Sequence, residues 1–72
     1  MMKLIVQIKF GSEKQRIVRF GNFRYLVYIF SNKDNDNAMN EFISLMSKEL
    51  TLPPSRFHYK GKEGESYVFE VD

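Results

Sequence analysis

His58 is the single histidine in the chain, so neutral-pH proton transfer or imidazole ligation would have to begin there. It lies in Arg56-Phe57-His58-Tyr59-Lys60, where alternation places it on an outer face between Arg56 and Lys60. General acid–base catalysis needs a partner held within hydrogen-bond reach, and no nucleophile is expected near it. It reads as a surface histidine. Cysteine is absent, which excludes disulfides and thiolate metal sites. Asn32-x-Asp34-x-Asp36 has the opening of a calcium loop, but the required glycine at the sixth position is Asn37. The chelating glutamate at the twelfth is Ile43. The tract Asp34, Asn35, Asp36 and Asn37 therefore reads as a solvated capping loop, and it is kept as a candidate recognition loop. With two acidic groups, it suits a protein or a cation-bearing partner better than an anion. No catalytic residue, metal or cofactor is expected.

The remaining chemistry is that of a surface. Lys9, Lys14, Arg16, Arg19 and Arg24 give the first half of the chain a basic excess, and Tyr25, Tyr28 and Phe30 interleave aromatics among them. Cations beside exposed aromatics are what sheets use to bind single-stranded nucleic acid. Ile5, Leu26, Tyr28 and Val68 would complete such an open face. The plainer reading is a partly covered sheet surface with scattered apolar residues, which needs no special explanation.

One helix among strands must position these groups. Ala38–Leu50 carries Met39, Phe42, Ile43, Met46 and Leu50 at helical spacing, with Leu45 at the stripe's edge. Asp36 or Asn37 is the expected N-cap, its side chain accepting from the first turn. Glu41 sits near the positive end of the helix dipole and Lys48 near the negative end. Pro53 and Pro54 force the helix to end by about Leu52. The rest reads as strand. Lys3–Phe10 alternates, with Leu4, Val6, Ile8 and Phe10 inward and Ile5 the odd apolar residue outside. Arg16–Phe20 is an irregular extended piece, followed by a Gly21-Asn22 turn. Phe23–Phe30 is rich in β-branched and aromatic residues on both faces, as in a central strand. Arg56–Lys60 places Phe57 and Tyr59 inward. Gly61-Lys62-Glu63-Gly64 reads as a hairpin loop, and Ser66–Val71 closes the chain with Tyr67, Phe69 and Val71 on one face.

Seventy-two residues make one small domain, 1–72, with a thin core. The hydrophobic fraction of 43% is too high for a disordered chain, and seven phenylalanines and four tyrosines offset the lack of staples. The net charge of +2 permits an anionic partner without requiring one. The apolar runs Leu4–Val6 and Tyr25–Phe30 are far short of the roughly 20 residues a membrane span needs. The apolar start is also too short for a signal peptide. The expectation is a soluble, cytoplasmic protein with no membrane association.

Several strings carry a resemblance. Val6-Gln7-Ile8-Lys9-Phe10 through Arg16-Ile17, the strand Tyr25-Leu26-Val27-Tyr28-Ile29, Ala38 at the helix entrance and the Leu52, Pro53, Ser55 junction resemble the YggU-like family of small uncharacterised proteins. The resemblance spans nearly the whole chain. It implies a two-layer α+β fold, one helix on a mixed four-stranded sheet in the order β-β-α-β-β, and no defined activity. The family's prolines and Gly-Lys before the helix are replaced here by Asp36, Asn37 and neighbours. Its basic residues in the last hairpin fall near Gly64, Glu65 and Tyr67, which removes the anion contacts they would make. Its second helix would follow Asp72, so its absence would leave an apolar strip for self-association. The Leu52-Pro53-Pro54 junction and Lys60-Gly61-Lys62 also resemble a ubiquitin-like β-grasp, although no C-terminal Gly-Gly is present for conjugation.

These features converge on a non-enzymatic interaction module. A protein partner or a second copy is the first expectation. The alternatives are RNA or another polyanion held by Lys9, Lys14, Arg16, Arg19, Arg24 and Tyr28, and a ubiquitin-like interaction domain.

Overall fold

The computed structural model describes residues 2–72. Strands β1 (Met2–Lys9), β2 (Arg16–Gly21) and β3 (Arg24–Tyr28) precede helix α1 (Ala38–Leu50). A short 3-10 turn at Pro54–Arg56 leads into β4 (Phe57–Glu63) and β5 (Ser66–Val71). The fold is α+β, but the sheet has five strands in the order β2-β3-β1-β5-β4, not the expected four. The additional strand is the irregular piece at Arg16. It lies at the sheet edge; Ile17 packs against the core, but Arg19 takes the next position on that face and Val18 the open one, so its alternation is interrupted.

β1 and β3 pair in parallel, and every other pairing is antiparallel. The β2–β3 hairpin thus folds inward to lay β3 against β1, and α1 returns across one face of the sheet. That face carries Leu4, Val6, Tyr25, Val27, Ile29, Tyr67, Phe69 and Val71, which close over Ala38, Phe42 and Met46 of α1. Ile5 is on the opposite face, in register with Val68. Phe57 is buried, whereas Tyr59 is 49% exposed. Tyr59 lies at the border of the core, its ring 5.3 Å from Phe69 and 6.2 Å from Tyr67.

α1 has the expected bounds, but Asn37 caps it without a side-chain bond. Its side chain does not reach the first turn because the loop is already folded on itself. The amide of Asn37 donates to Oδ1 of Asn35 at 2.8 Å, and Asn35 N donates to Asn32 O at 3.0 Å. At the other end Thr51 adopts the left-handed conformation, and Leu52 N donates to Ser47 O at 3.0 Å. The αL turn thus stops the helix before the prolines do.

Two further expectations change. β4 runs on to Glu63 with a bulge between Tyr59 and Gly61, so the turn falls at Gly64-Glu65 rather than over Gly61–Gly64. Phe23 is not in the central strand. It occupies the β2–β3 turn at φ 57° and is 40% exposed. A bulky residue pays for the left-handed region, which glycine enters freely, by roughly 1 kcal/mol. Phe23→Gly is therefore expected to raise stability by about 0.5–1 kcal/mol, read as a higher urea midpoint at unchanged m-value. A lower midpoint would mean that the Phe23 ring contributes more packing than its exposure suggests.

Gly11 is required for a different reason. It has φ 64°, and a Cβ there would lie 2.6 Å from Oδ1 of Asn32. Its amide donates to Ser31 O at 2.8 Å, and Ser12 N to Ile29 O at 2.8 Å. The β1–β3 pairing thus continues past both strands and holds the loop after β1 against the loop after β3.

Candidate nucleic-acid interface

The face opposite the helix is where the basic residues meet. Register places Lys9 of β1 opposite Tyr28 of β3, and Tyr28 opposite Arg16 of β2. Pairing at about 4.8 Å per strand makes these three a row roughly 10 Å long. Lys14 joins at its end. Ser12, Glu13, Lys14, Arg16 and Tyr28 line a shallow cavity of about 400 Å³. Arg24 lies on the same face, paired with Ile5, its side chain lying over Gly21. Between Arg24 and Tyr28, Leu26 is flanked by Gln7 and Val18.

Arg19 is not part of this group. It pairs with Tyr25 on the helix side. Its guanidinium clamps the hairpin turn, Nε donating to Gly21 O at 3.1 Å and a terminal nitrogen to Asn22 Oδ1 at 2.9 Å. The bulge between Arg19 and Gly21 then resets the register toward the turn. Of the aromatics expected to interleave the cations, only Tyr28 does so. Tyr25 is in the core, and Phe30 lies beyond the strand, 54% exposed. Val68 shares the open face with Ile5, but it is buried, so it adds no accessible apolar surface.

Charge is segregated across the sheet. The described residues form two lysine–glutamate ion pairs, Lys3–Glu63 at 3.3 Å and Lys60–Glu70 at 3.9 Å, and a His58–Asp72 contact at 2.9 Å. All three lie over β1, β5, β4 and the chain end. None involves Lys9, Lys14, Arg16 or Arg24. The β2–β3 half therefore keeps uncompensated cations, with Glu13 the one acid lining the cavity. His58 is engaged by Asp72 on the neutralised half.

The loop before α1 plays a supporting part. Phe30 N donates to Oε2 of Glu41 at 2.7 Å. Ser31 N and Oγ donate to Oε1 at 3.0 and 2.6 Å, and Gln15 Nε2 donates to Oε2 at 2.8 Å. Partial burial pushes the Glu41 carboxyl up. The bonds from the Ser31 hydroxyl, Gln15 and the two amides outweigh it and hold the carboxyl down at about 2. One carboxylate thus ties the loop after β1 and the loop after β3 to the first turns of the helix, and so fixes where Lys14 and Arg16 begin. Asp34, Asn35, Asp36 and Asn37 are exposed. Asn35 and Asp36 border a groove of about 190 Å³ with Phe10, Met39 and Tyr67. No group of His, Asp or Glu able to hold a metal ion occurs among the described residues.

Two cations emerge only in three dimensions. Lys33 and Lys62 join Lys9 around a cavity of about 230 Å³ at the end of β1, with the Lys62 ammonium 5.0 Å from the centre of the Tyr67 ring. They are separated from Lys9 by long stretches of chain, so no local pattern signals them. No helix among the described residues is long and apolar enough to cross a membrane. No family model, curated protein or solved structure matches this chain.

Proposed function

We propose that this chain is a non-enzymatic interaction module, and that the β2–β3–β1 half of its open face binds an anionic partner, RNA first among them. The observation that carries this is the row Lys9–Tyr28–Arg16, two cations flanking one aromatic ring in register across three adjacent strands. Exposed cations without acidic partners retain their full attraction for phosphate, whereas the paired lysines of the other half do not.

Self-association through the sheet edges is less well supported. β2 and β4 form the two edges, and each carries a bulge and charged side chains. Such features discourage edge-to-edge pairing.

Binding of a short RNA should weaken steeply with salt. If Lys9, Lys14, Arg16 and Arg24 each neutralise one phosphate, log K should fall against log [salt] with a slope of about −3, by roughly 0.7 per cation on a single strand. Arg16→Gln should reduce affinity and flatten that slope by about 0.7. Arg19→Gln should leave the slope unchanged, since Arg19 faces the other way. Absence of binding at low salt would overturn the proposal.

A further inference from the structure

Besides its two outer edges, the sheet has a short open edge inside it. β5 pairs with β1 only as far as Val6–Tyr67, because the chain turns at Gly64-Glu65 before it can follow β1 further. β1 itself runs on to Lys9 beside β3. Ile5 N donates to Phe23 O at 2.9 Å and Ile29 N donates to Lys9 O at 3.0 Å, so Ile5, Gln7 and Lys9 turn their backbone groups to β3. Alternate residues of an inner strand serve opposite neighbours. Ile8 N–H, Ile8 C=O and Phe10 N–H therefore turn to the place where β5 is missing. Among the described residues none of these three groups has a hydrogen-bond partner.

That place is an open groove. The cavities of about 230 and 190 Å³ share Ile8, Phe10, Lys33 and Tyr67, and so form one trough along this edge. Ile8, Phe10, Met39 and Tyr67 give it apolar walls. Lys9, Lys33 and Lys62 stand around its first part against one acid, Glu65, and Asp36 borders the far part. A second copy of the chain would bring the same lysines to the same edge, so like charge opposes self-pairing. We infer that this groove takes an extended acidic peptide of a partner protein, which adds a short strand to β1 in line with β5. Backbone hydrogen bonds hold the peptide, its apolar side chains rest on Phe10 and Tyr67, and its carboxylates meet the three lysines. The site is independent of the RNA row, because the groove lies on the side of β1 away from β3, although Lys9 borders both.

The test is calorimetric titration of the full chain with an end-blocked peptide of alternating valine and glutamate, with its valine–lysine counterpart as control. The acidic peptide should bind and the basic one should not. N-methylation of every second peptide amide removes the strand bonds in one register only, so one methylated peptide should lose at least about tenfold in affinity and the other little. The amides of Ile8 and Phe10 should exchange with solvent at least about tenfold more slowly in the complex. Lys33→Gln combined with Lys62→Gln should weaken binding about fivefold with thermal unfolding unchanged, since both side chains are exposed. Equal losses from both methylated peptides, or no slowing at Ile8 and Phe10, would overturn strand addition. Slowing of those two amides by a short RNA, or by protein concentration alone, would assign the edge to that occupant and overturn the peptide. Failure of the acidic peptide to bind would also overturn it, and RNA binding at the Lys9–Tyr28–Arg16 row would stand or fall on its own titration.

Discussion

Phe42→Ala should remove about 3–5 kcal/mol of stability, the usual range for deleting a buried phenyl ring. Phe42 is fully buried on the inner face of α1, and its ring stacks on Phe69 with centroids 5.1 Å apart. It is where the single helix meets the middle of the sheet. A chain of 72 residues typically has roughly 4–11 kcal/mol in all, so the variant should lose a large part of its folded population or unfold outright. Urea titration followed by circular dichroism measures this, with dispersion of amide proton signals as a second readout. Phe42→Leu keeps most of the volume and should cost much less. A loss below about 1 kcal/mol for Phe42→Ala would mean that the core can collapse around the gap.

Glu41→Gln should be the most destabilising polar substitution, at about 1.5–3 kcal/mol near neutral pH. Hydrogen bonds to a charged acceptor are worth that much, and the amide cannot replace them. Glu41 receives donors on both oxygens, from Phe30 and Gln15 on one and from Ser31 twice on the other. A glutamine NH2 would oppose one of those pairs, donor against donor. Reorienting Gln15 could relieve its own contact, but a backbone amide would still face the NH2 group.

The same carboxylate predicts a pH dependence. Its folded pKa of about 2 lies below the ordinary 4.5, so the unfolded chain binds the proton more readily. The linked stability is present above about pH 4.5 and is lost as pH falls from about 5 toward 2. Because Glu41 is partly solvent-exposed, screening limits this share to about 1–2 kcal/mol. The stability gap between parent and Glu41→Gln should therefore narrow on acidification. A gap that stays constant from pH 7 to pH 2.5 would show that the carboxylate charge is not what holds the loops.

Much of the architecture was legible locally. The apolar stripe marked the helix over Ala38–Leu50, and strict alternation marked Leu4, Val6, Tyr67, Phe69 and Val71 as core. These patterns have periods of 3.6 and 2, and a few consecutive residues are enough to display them. The strand at Arg16 was less legible because only Ile17 marks its inner face, the next residue on that face being Arg19 while the apolar Val18 lies on the open one. Phe23 was misplaced because its aromatic character suits a strand, whereas the hairpin needed a residue at positive φ there.

The candidate site was legible in residue type and unresolved in arrangement. Lys9, Arg16, Arg24 and Tyr28 share a face, while Arg19, three residues from Arg16, faces the other way. By itself the sequence determined the helix, the alternating core positions, the absence of cysteine chemistry and the supply of cations. Only the tertiary structure decided that β1 pairs with β3 in parallel, that Lys9 thereby comes beside Tyr28, and that Glu41 binds two loops to one helix. The physical reason is that alternation sets which face a side chain takes, but not which strand lies next to it. Neighbouring strands are chosen by long-range pairing, in which hydrogen bonds and core packing over the whole chain are satisfied together.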